Sequence, residues 1–322
     1  MTTTLTPPPE PPGGGSNAAA LAEAYGLSQN TMRPPLWAYV KQLWQRRHFI
    51  WTFARSKAST KFSGARLGSL WQLLTPLLNA GIYYLIFGLL LGTDRGVYNF
   101  MGYLVIGVFI FTFMQRTVTA SARAIPANLS LIRALHFPRA CLPLSIMLTE
   151  FQQLLVSLTA MGAIVLLTGE PLSWSWLLVF PVVLLMVLFS AGLGMIFARI
   201  GAVVPDISQL LPFATRIWLY TSGVIFSISD RTKRLPDWVG ELLAANPAAV
   251  YIDLVRNMVM DTYPDPPPAA VIEAAGKNPA DYTDTMVYSV QQLWLFGVGW
   301  AVLFFVVGFL IFWRAEEKYG RG

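Results

Sequence analysis

The stretch GSLWQLLTPLLNAGIYYLIFGLLLG, residues 68–92, contains no charged side chain and is mostly apolar. An α-helix rises about 1.5 Å per residue and the hydrocarbon core of a bilayer is about 30 Å thick, so a helix of this length can cross a membrane. The residues before it include Arg55, Lys57, Lys61 and Arg66 and no acid. Because basic residues concentrate beside the cytoplasmic ends of membrane helices, the stretch predicts a first span entered from the cytoplasm.

The composition of the whole chain also favours a lipid environment. Of its 322 residues, 55% are hydrophobic and 12% are charged, whereas soluble domains carry about 25% charged residues. Cys141 is the only cysteine, which excludes an intrachain disulfide and a cysteine-based metal site. The net charge of +6 does not indicate nucleic-acid binding, because the basic residues cluster beside apolar stretches.

Further apolar stretches predict an all-α integral membrane fold with six spans. We expect the spans at residues 68–92, 100–119, 141–167, 174–198, 207–228 and 290–313. Most Lys and Arg residues then fall in segments on the inner side, which predicts that both termini are cytoplasmic. The Pro- and Gly-rich residues 1–31 predict a disordered cytoplasmic leader.

Residues 32–67 predict an amphipathic helix on the membrane surface, followed by a basic approach to the first span. LWAYVKQLWQRRHFIW, residues 36–51, separates aromatic and apolar side chains from basic ones in the way typical of a headgroup-layer helix. We predict that lipid headgroups are bound by Arg46, Arg47, Arg55 and Lys57. The alternative is that these four residues only set the topology.

Besides Arg116, which lies near the end of the second predicted span, two charged residues fall inside predicted spans, Glu150 in the third and Arg216 in the fifth. A charge at membrane depth is costly, so each is expected to face protein or water rather than lipid. Glu150 is either a polar lining residue, a partner of Arg216, or a residue nearer the interface than the pattern suggests.

The segment 229–288 differs from the rest, because it is rich in acids and prolines. We expect two helices in it, near residues 238–244 and 248–260, on the outer side of the membrane. The sequence also contains no G-x-x-x-x-G-K-[ST] and no H-E-x-x-H. It therefore predicts a non-enzymatic protein, without a cofactor or metal of its own, whose energy comes from a partner.

Two runs resemble the ABC-2 type polysaccharide exporters, which include Wzm-type O-antigen permeases, teichoic-acid permeases and actinobacterial galactan permeases. KFSGARLGSLWQLLTP, residues 61–76, is similar to that family's approach to the first span. NLSLIRALHFPRACLPL, residues 128–144, is similar to its first cytoplasmic loop. Shorter matches follow in order at Arg199, Pro205, Asp206, Asn246, Pro247, Ile252, Asp253, Arg256 and from Gly308 to Glu316.

The resemblance implies a half-transporter in a bacterial plasma membrane. Two copies would form the channel, and two separate ATPase chains would bind ATP and Mg²⁺ beneath it. The cargo would be a polysaccharide linked to polyprenyl diphosphate, and the Arg- and Ala-rich composition favours galactan. By the same analogy the helices in 236–260 form an outer gate, and the ATPase docks at Leu131, Ile132, Arg133, Phe137, Pro138 and Arg139.

A polysaccharide needs a wet path with flat surfaces for its sugar rings, and aromatic side chains can supply such surfaces. The candidates within spans are Tyr83, Tyr84, Phe87, Phe109, Phe113, Trp218 and Tyr220. Aromatic residues in membrane helices also serve as packing or interface anchors. Two other functions stay open: a permease of this architecture for a small hydrophobic drug or lipid, and a membrane-embedded glycosyl- or acyltransferase.

Overall fold

The computed structural model describes residues 34–60, 66–90, 96–135, 137–233, 235–282 and 286–318. The predicted leader, residues 1–31, lies outside these ranges, as do residues 61–65 of the basic approach. The described ranges contain thirteen α-helices and no strand, which confirms the all-α prediction. The helices are α1 Leu36–Gln45, α2 Arg47–Thr60, α3 Trp71–Tyr83, α4 Phe100–Ala122, α5 Leu129–Ala134, α6 Cys141–Leu167, α7 Val179–Val203, α8 Ile207–Thr221, α9 Ile228–Thr232, α10 Asp237–Ala244, α11 Pro247–Val259, α12 Ala269–Ala274 and α13 Val290–Arg314.

Within the described ranges, five helical segments are long and apolar enough to cross a membrane. They are Leu73–Leu90, Phe100–Ala122, Cys141–Leu167, Trp174–Val203 and Val290–Arg314. These segments match five of the six predicted spans. The first combines α3 with a π-helical continuation, Tyr84–Leu90. The protein is therefore a multi-pass membrane protein.

The helix predicted over residues 207–228 is shorter than expected. α8 has 15 residues and ends at Thr221, because Gly223 adopts a φ of +61°, a left-handed conformation that ends a helix. The guanidinium of Arg256 on α11 donates hydrogen bonds to the carbonyl oxygens of Gly223 and Val224, at 3.0 and 3.2 Å. The apolar run continues through Ile225 and Phe226, so hydropathy alone extends the predicted span beyond this stop.

α4 is the central helix of the bundle. Most of its side chains are buried, and it packs against α3, α6, α7, α8 and α11. One end of the bundle, which we call the α1 end, carries α1, α2, α5 and residues 315–318. The opposite α11 end carries α9 to α12.

α7 and α13 are in backbone contact at two glycines. A Cβ atom built on Gly308 would lie 2.1 Å from the carbonyl oxygen of Gly192, and one built on Gly192 would lie 2.2 Å from the carbonyl oxygen of Phe304. Only residues without a side chain allow two helices to approach this closely. The pair fixes the last helix against the body of the bundle.

The α11 end is anchored by a buried carboxylate, that of Glu170, which is 2% exposed. Its oxygens accept hydrogen bonds from the Asn99 side-chain amide at 2.8 Å and from the backbone N–H groups of Asp261 and Thr262, at 2.8 and 3.3 Å. α10 and α11 fall where the two helices in the 229–288 segment were expected.

Candidate functional site

A cavity of about 900 Å³ lies between α2, α4, α6 and α8, near the α1 end of the bundle. We call it the polar cavity. Eight of its lining residues carry a hydroxyl or amide group: Thr60, Thr75, Gln115, Thr119, Asn128, Thr149, Ser208 and Thr215. Its charged residues are Lys57, Arg116, Arg123 and Glu150. Three cations against one carboxylate give the polar cavity a net positive charge, which attracts anions.

The helical repeat of the sequence produces this wall. On α4, Gln115, Thr119 and then Arg123 just beyond the helix recur every four residues, so they lie along one face. On α6, Ile146 and Glu150 have the same spacing. The amide nitrogen of Gln115 donates a 3.0 Å hydrogen bond to the Thr215 hydroxyl, which joins α4 to α8 across the cavity.

Glu150 is 5% exposed, so the structure places it in the interior of the bundle. It lines the polar cavity beside Arg116 and interacts with that guanidinium electrostatically. Arg216 is exposed on α8 instead, and the Tyr83 hydroxyl on α3 lies within electrostatic range of both Arg216 and Tyr220. The structure thus gives Glu150 a charged neighbour that the sequence analysis did not single out.

Of the four predicted headgroup residues, Lys57 is the one that lines the polar cavity. Its amine lies 4.9 Å from the centroid of the Phe53 ring, and burial lowers the pKa of the amine. Arg46, Arg47 and Arg55 are exposed on the surface of the α1 end. Arg47 stacks over the Trp44 ring, 5.4 Å from the centroid.

The other two cavity cations, Arg116 and Arg123, were not among the predicted site residues. Arg116 and Arg123 are seven positions apart, a spacing that places both on one face of a helix, so the sequence does contain a signal for them. That signal could not be interpreted without knowing that this face of α4 borders the same cavity as α2 and α6.

The predicted conduit aromatics do not form a single group. Phe109 and Phe113 are 2% and 3% exposed, and in this conformation they are packing residues around a small cavity that also contains Glu150. Tyr84 packs on Phe100, with ring centroids 6.4 Å apart. Trp218 donates from its indole nitrogen to the Asn246 side-chain oxygen at 2.9 Å.

Three of the conduit aromatics lie in a different region. Tyr83 and Phe87 are half-buried on α3 and its continuation, with ring centroids 6.3 Å apart. Tyr220 is 45% exposed on α8. The fold therefore brings two of the predicted conduit residues, Tyr83 and Tyr220, together with Arg216 at the surface of the chain.

The predicted docking segment, residues 131–139, is held mainly by its own chain; its residue 136 lies outside the described part of the structure. Ile132 and Pro138 are buried, whereas Leu131 and Arg139 are half-buried. The Phe137 ring packs on Phe49 of α2, with centroids 5.3 Å apart.

Three consecutive residues of this segment, Arg133, Ala134 and Leu135, are exposed. Leu135, which was not among the predicted docking residues, is 52% exposed. Arg133 lies on the short helix α5 and Leu135 lies just beyond its end, so a cation and an apolar side chain are exposed two residues apart.

Comparisons with known proteins agree with this architecture. A family model described as ABC-2 type transporter matches residues 48–260. The chain is 25% identical over 190 residues to the O-antigen export system permease protein RfbA of Myxococcus xanthus, a match that covers 59% of this chain and 72% of that protein.

Two further relatives show similar coverage. The O-antigen export system permease protein RfbA of Klebsiella pneumoniae is 26% identical over 202 residues, covering 62% of this chain and 76% of that protein. The polysialic acid transport protein KpsM of Escherichia coli is 26% identical over 214 residues, with 63% and 78% covered. The chain belongs to the ABC-2 type transporter family, and it is the membrane subunit of a transporter rather than an enzyme.

Proposed function

We propose that this chain is the permease of an ATP-driven exporter that moves a polysaccharide linked to polyprenyl diphosphate across a bacterial plasma membrane. Galactan is the lead candidate for the polymer. Two copies of the chain work with two ATPase subunits, which bind ATP and Mg²⁺. The observation that carries the proposal is the positively charged, hydroxyl-rich polar cavity in a chain similar to polysaccharide permeases.

The chemistry of the polar cavity suits the cargo. A diphosphate is anionic, and Lys57, Arg116 and Arg123 would attract it, while the threonine and amide groups offer partners to sugar hydroxyls. Arg46, Arg47 and Arg55 would contact the headgroups of the surrounding lipid. Glu150 would weaken the hold of Arg116 on the anion, which favours release.

The face of α8 that carries Arg216 and Tyr220 supports a shared conduit. Both residues are exposed in the single chain, and a guanidinium facing lipid is costly. We infer that this face, with Tyr83 on α3, borders a hydrated path completed by the second copy. α8 would be the fifth of six crossings. At about 1.5 Å per residue its 15 residues reach only part of the way across, so α10 and α11, the proposed outer gate, would complete the crossing.

The docking segment would transmit the motion of the ATPase. Arg133 and Leu135 would contact the ATPase, and Phe137 and Arg139 would connect the segment to the rest of the chain. This arrangement requires that α5, the α1 end and both termini lie in the cytoplasm.

A small hydrophobic cargo is the alternative, and an apolar cavity of about 280 Å³ lined by residues such as Phe189, Leu193, Phe197 and Trp218 favours it. This apolar cavity is smaller than the usual range for ligand sites, about 300–1,000 Å³. The larger polar cavity has no role in the transport of such a cargo.

The test compares two double variants in cells that depend on this chain. Lys57→Gln with Arg123→Gln removes two cavity cations, and the control pair, Lys41→Gln with Arg66→Gln, removes two exposed cations that lie outside the cavity. Basic residues near anionic lipid contribute about 1 kcal/mol each, so we expect the cavity pair to lower export by about tenfold or more.

The readouts are polymer at the cell surface and lipid-linked polymer retained inside. The control pair should export at close to the normal rate. Normal export by the cavity pair, at normal membrane levels of the protein, would contradict the proposed site. Normal surface polymer after depletion of the chain would contradict the proposed function as a whole.

A further inference from the structure

Glu316 lies just beyond the end of the last helix and joins three segments that are distant in sequence. One carboxylate oxygen accepts a 2.8 Å hydrogen bond from the Tyr39 hydroxyl on α1, and the other accepts a 2.9 Å hydrogen bond from the Arg139 backbone N–H. The Arg139 guanidinium also donates to the carbonyl oxygen of Glu316. The connection closes where the backbone N–H of Ala140 donates to the Tyr39 hydroxyl at 3.2 Å.

This polar connection is buried among apolar side chains. Glu316 is 7% exposed and Tyr39 is 1% exposed, and they lie with the fully buried Ala140, Cys141 and Phe312. Burial raises the pKa of the Glu316 carboxyl, and the hydrogen bonds from Arg139 and Tyr39 oppose that rise. A carboxylate is costly to bury, so its position depends on these donors.

Hydrogen bonds to a buried charge differ from the apolar contacts around them, because they hold the bonded groups at a defined distance and in a defined direction. Apolar side chains can slide past one another at small cost, whereas a carboxylate that loses a donor keeps its full desolvation penalty. A displacement of residues 137–140 therefore has to move α1 and the end of α13 with it. A second, apolar contact, Phe137 on Phe49, leads from the same segment to α2.

We propose that Glu316 is a positioning residue for energy coupling, which transmits the movement of the docking segment to α1 and α13 through Tyr39 and Arg139. The proposal rests on the proposed function, in which the ATPase moves this segment. In this role Glu316 connects the docking segment to α1 and α13. The predicted docking residues by themselves do not provide that connection.

The experiment uses the full permease–ATPase complex in nanodiscs and needs no cargo. Hydrogen–deuterium exchange is measured with and without trapping by ATP and vanadate. In the wild type we expect exchange to change together in residues 135–140, α1 and residues 315–318. In Tyr39→Phe, which removes only a hydroxyl, we expect the change at residues 135–140 to persist and the change at α1 to be lost.

Glu316→Ala should behave like Tyr39→Phe, and Glu316→Gln should retain part of the α1 response, because its uncharged amide can still bond to both the Tyr39 hydroxyl and the Arg139 backbone N–H. The matched control is Glu317→Ala, which removes the neighbouring, exposed carboxylate. If Glu316→Ala does not fold, the partial loss in Glu316→Gln decides the question, because Tyr39→Phe also removes the direct bond from the Ala140 N–H to Tyr39. A normal α1 response in folded Tyr39→Phe, or an equal loss in Glu317→Ala, would overturn the proposal.

The wild-type result separates this inference from the proposed function. If residues 135–140 do not respond to trapping, the docking assignment and the role of Glu316 both fail. If they respond and the complex exports no lipid-linked polysaccharide, the cargo assignment fails and the role of Glu316 stands.

Discussion

At the scale of single residues, Arg256 has the most demanding position in the chain. It is fully buried on α11, and its guanidinium donates to the carbonyl oxygens of Tyr103, Gly223 and Val224 at 3.0–3.2 Å and to the Asp253 carboxylate at 3.1 Å. It also stacks on the Tyr103 ring. One side chain thus joins α4, the turn after α8 and α11.

We expect Arg256→Met to destabilise the protein by about 3–5 kcal/mol, because it leaves the Asp253 carboxylate, only 14% exposed, without its cation and three carbonyl oxygens without their donor. Arg256→Lys should recover little of this loss, since one ammonium cannot reproduce the fork of the guanidinium. Thermal unfolding in detergent measures the effect, with Arg231→Met on the exposed surface of α9 as the control. Equal melting temperatures for the Arg256 and Arg231 variants would contradict this account.

At the scale of elements, the contact between α7 and α13 is set by backbone rather than by side chains. Gly192 and Gly308 face each other, and a Cβ atom on either would overlap the opposite helix. The apolar composition of both helices was visible in the sequence, which correctly predicted two spans. Their partnership was not visible, because nearly every span in this chain is equally apolar.

Two glycines on the same helix test this contact. We expect Gly308→Ala to destabilise the protein by about 1–3 kcal/mol, because α7 and α13 must separate to admit the methyl group. Gly299→Ala introduces the same methyl group where no atom lies within 4 Å, so it should be neutral or stabilising. Thermal unfolding of the two variants decides between them, and a loss of stability in both would show that helix geometry, not the contact, is responsible.

At the scale of the whole molecule, the polar cavity lies toward the α1 end, and α9 to α12 lie at the α11 end. The distribution of basic residues predicts that α5 lies in the cytoplasm and α12 outside. The single cysteine, Cys141, is fully buried, so a thiol reagent should react only with cysteines introduced at the surface.

Labelling with a membrane-impermeant maleimide checks the orientation. Ser130→Cys beside the docking segment and Glu273→Cys on α12 both replace exposed residues. In intact spheroplasts we expect label on Glu273→Cys alone, and on Ser130→Cys only after the membrane is permeabilised. Label on Ser130→Cys in intact spheroplasts would place α5 outside and remove the basis for ATPase docking.

The sequence by itself determined the helical class, the positions of five spans, the helices α10 and α11 and the family resemblance, because long charge-free runs and short motifs are local properties of the chain. Only the tertiary structure decided that α8 stops at Thr221, that Arg116 and Arg123 meet Lys57 in one cavity, and that Glu316 bonds to Tyr39 and Arg139. The reason is physical: a buried charge is tolerated only where partners from other helices converge on it, and that convergence depends on how the helices pack.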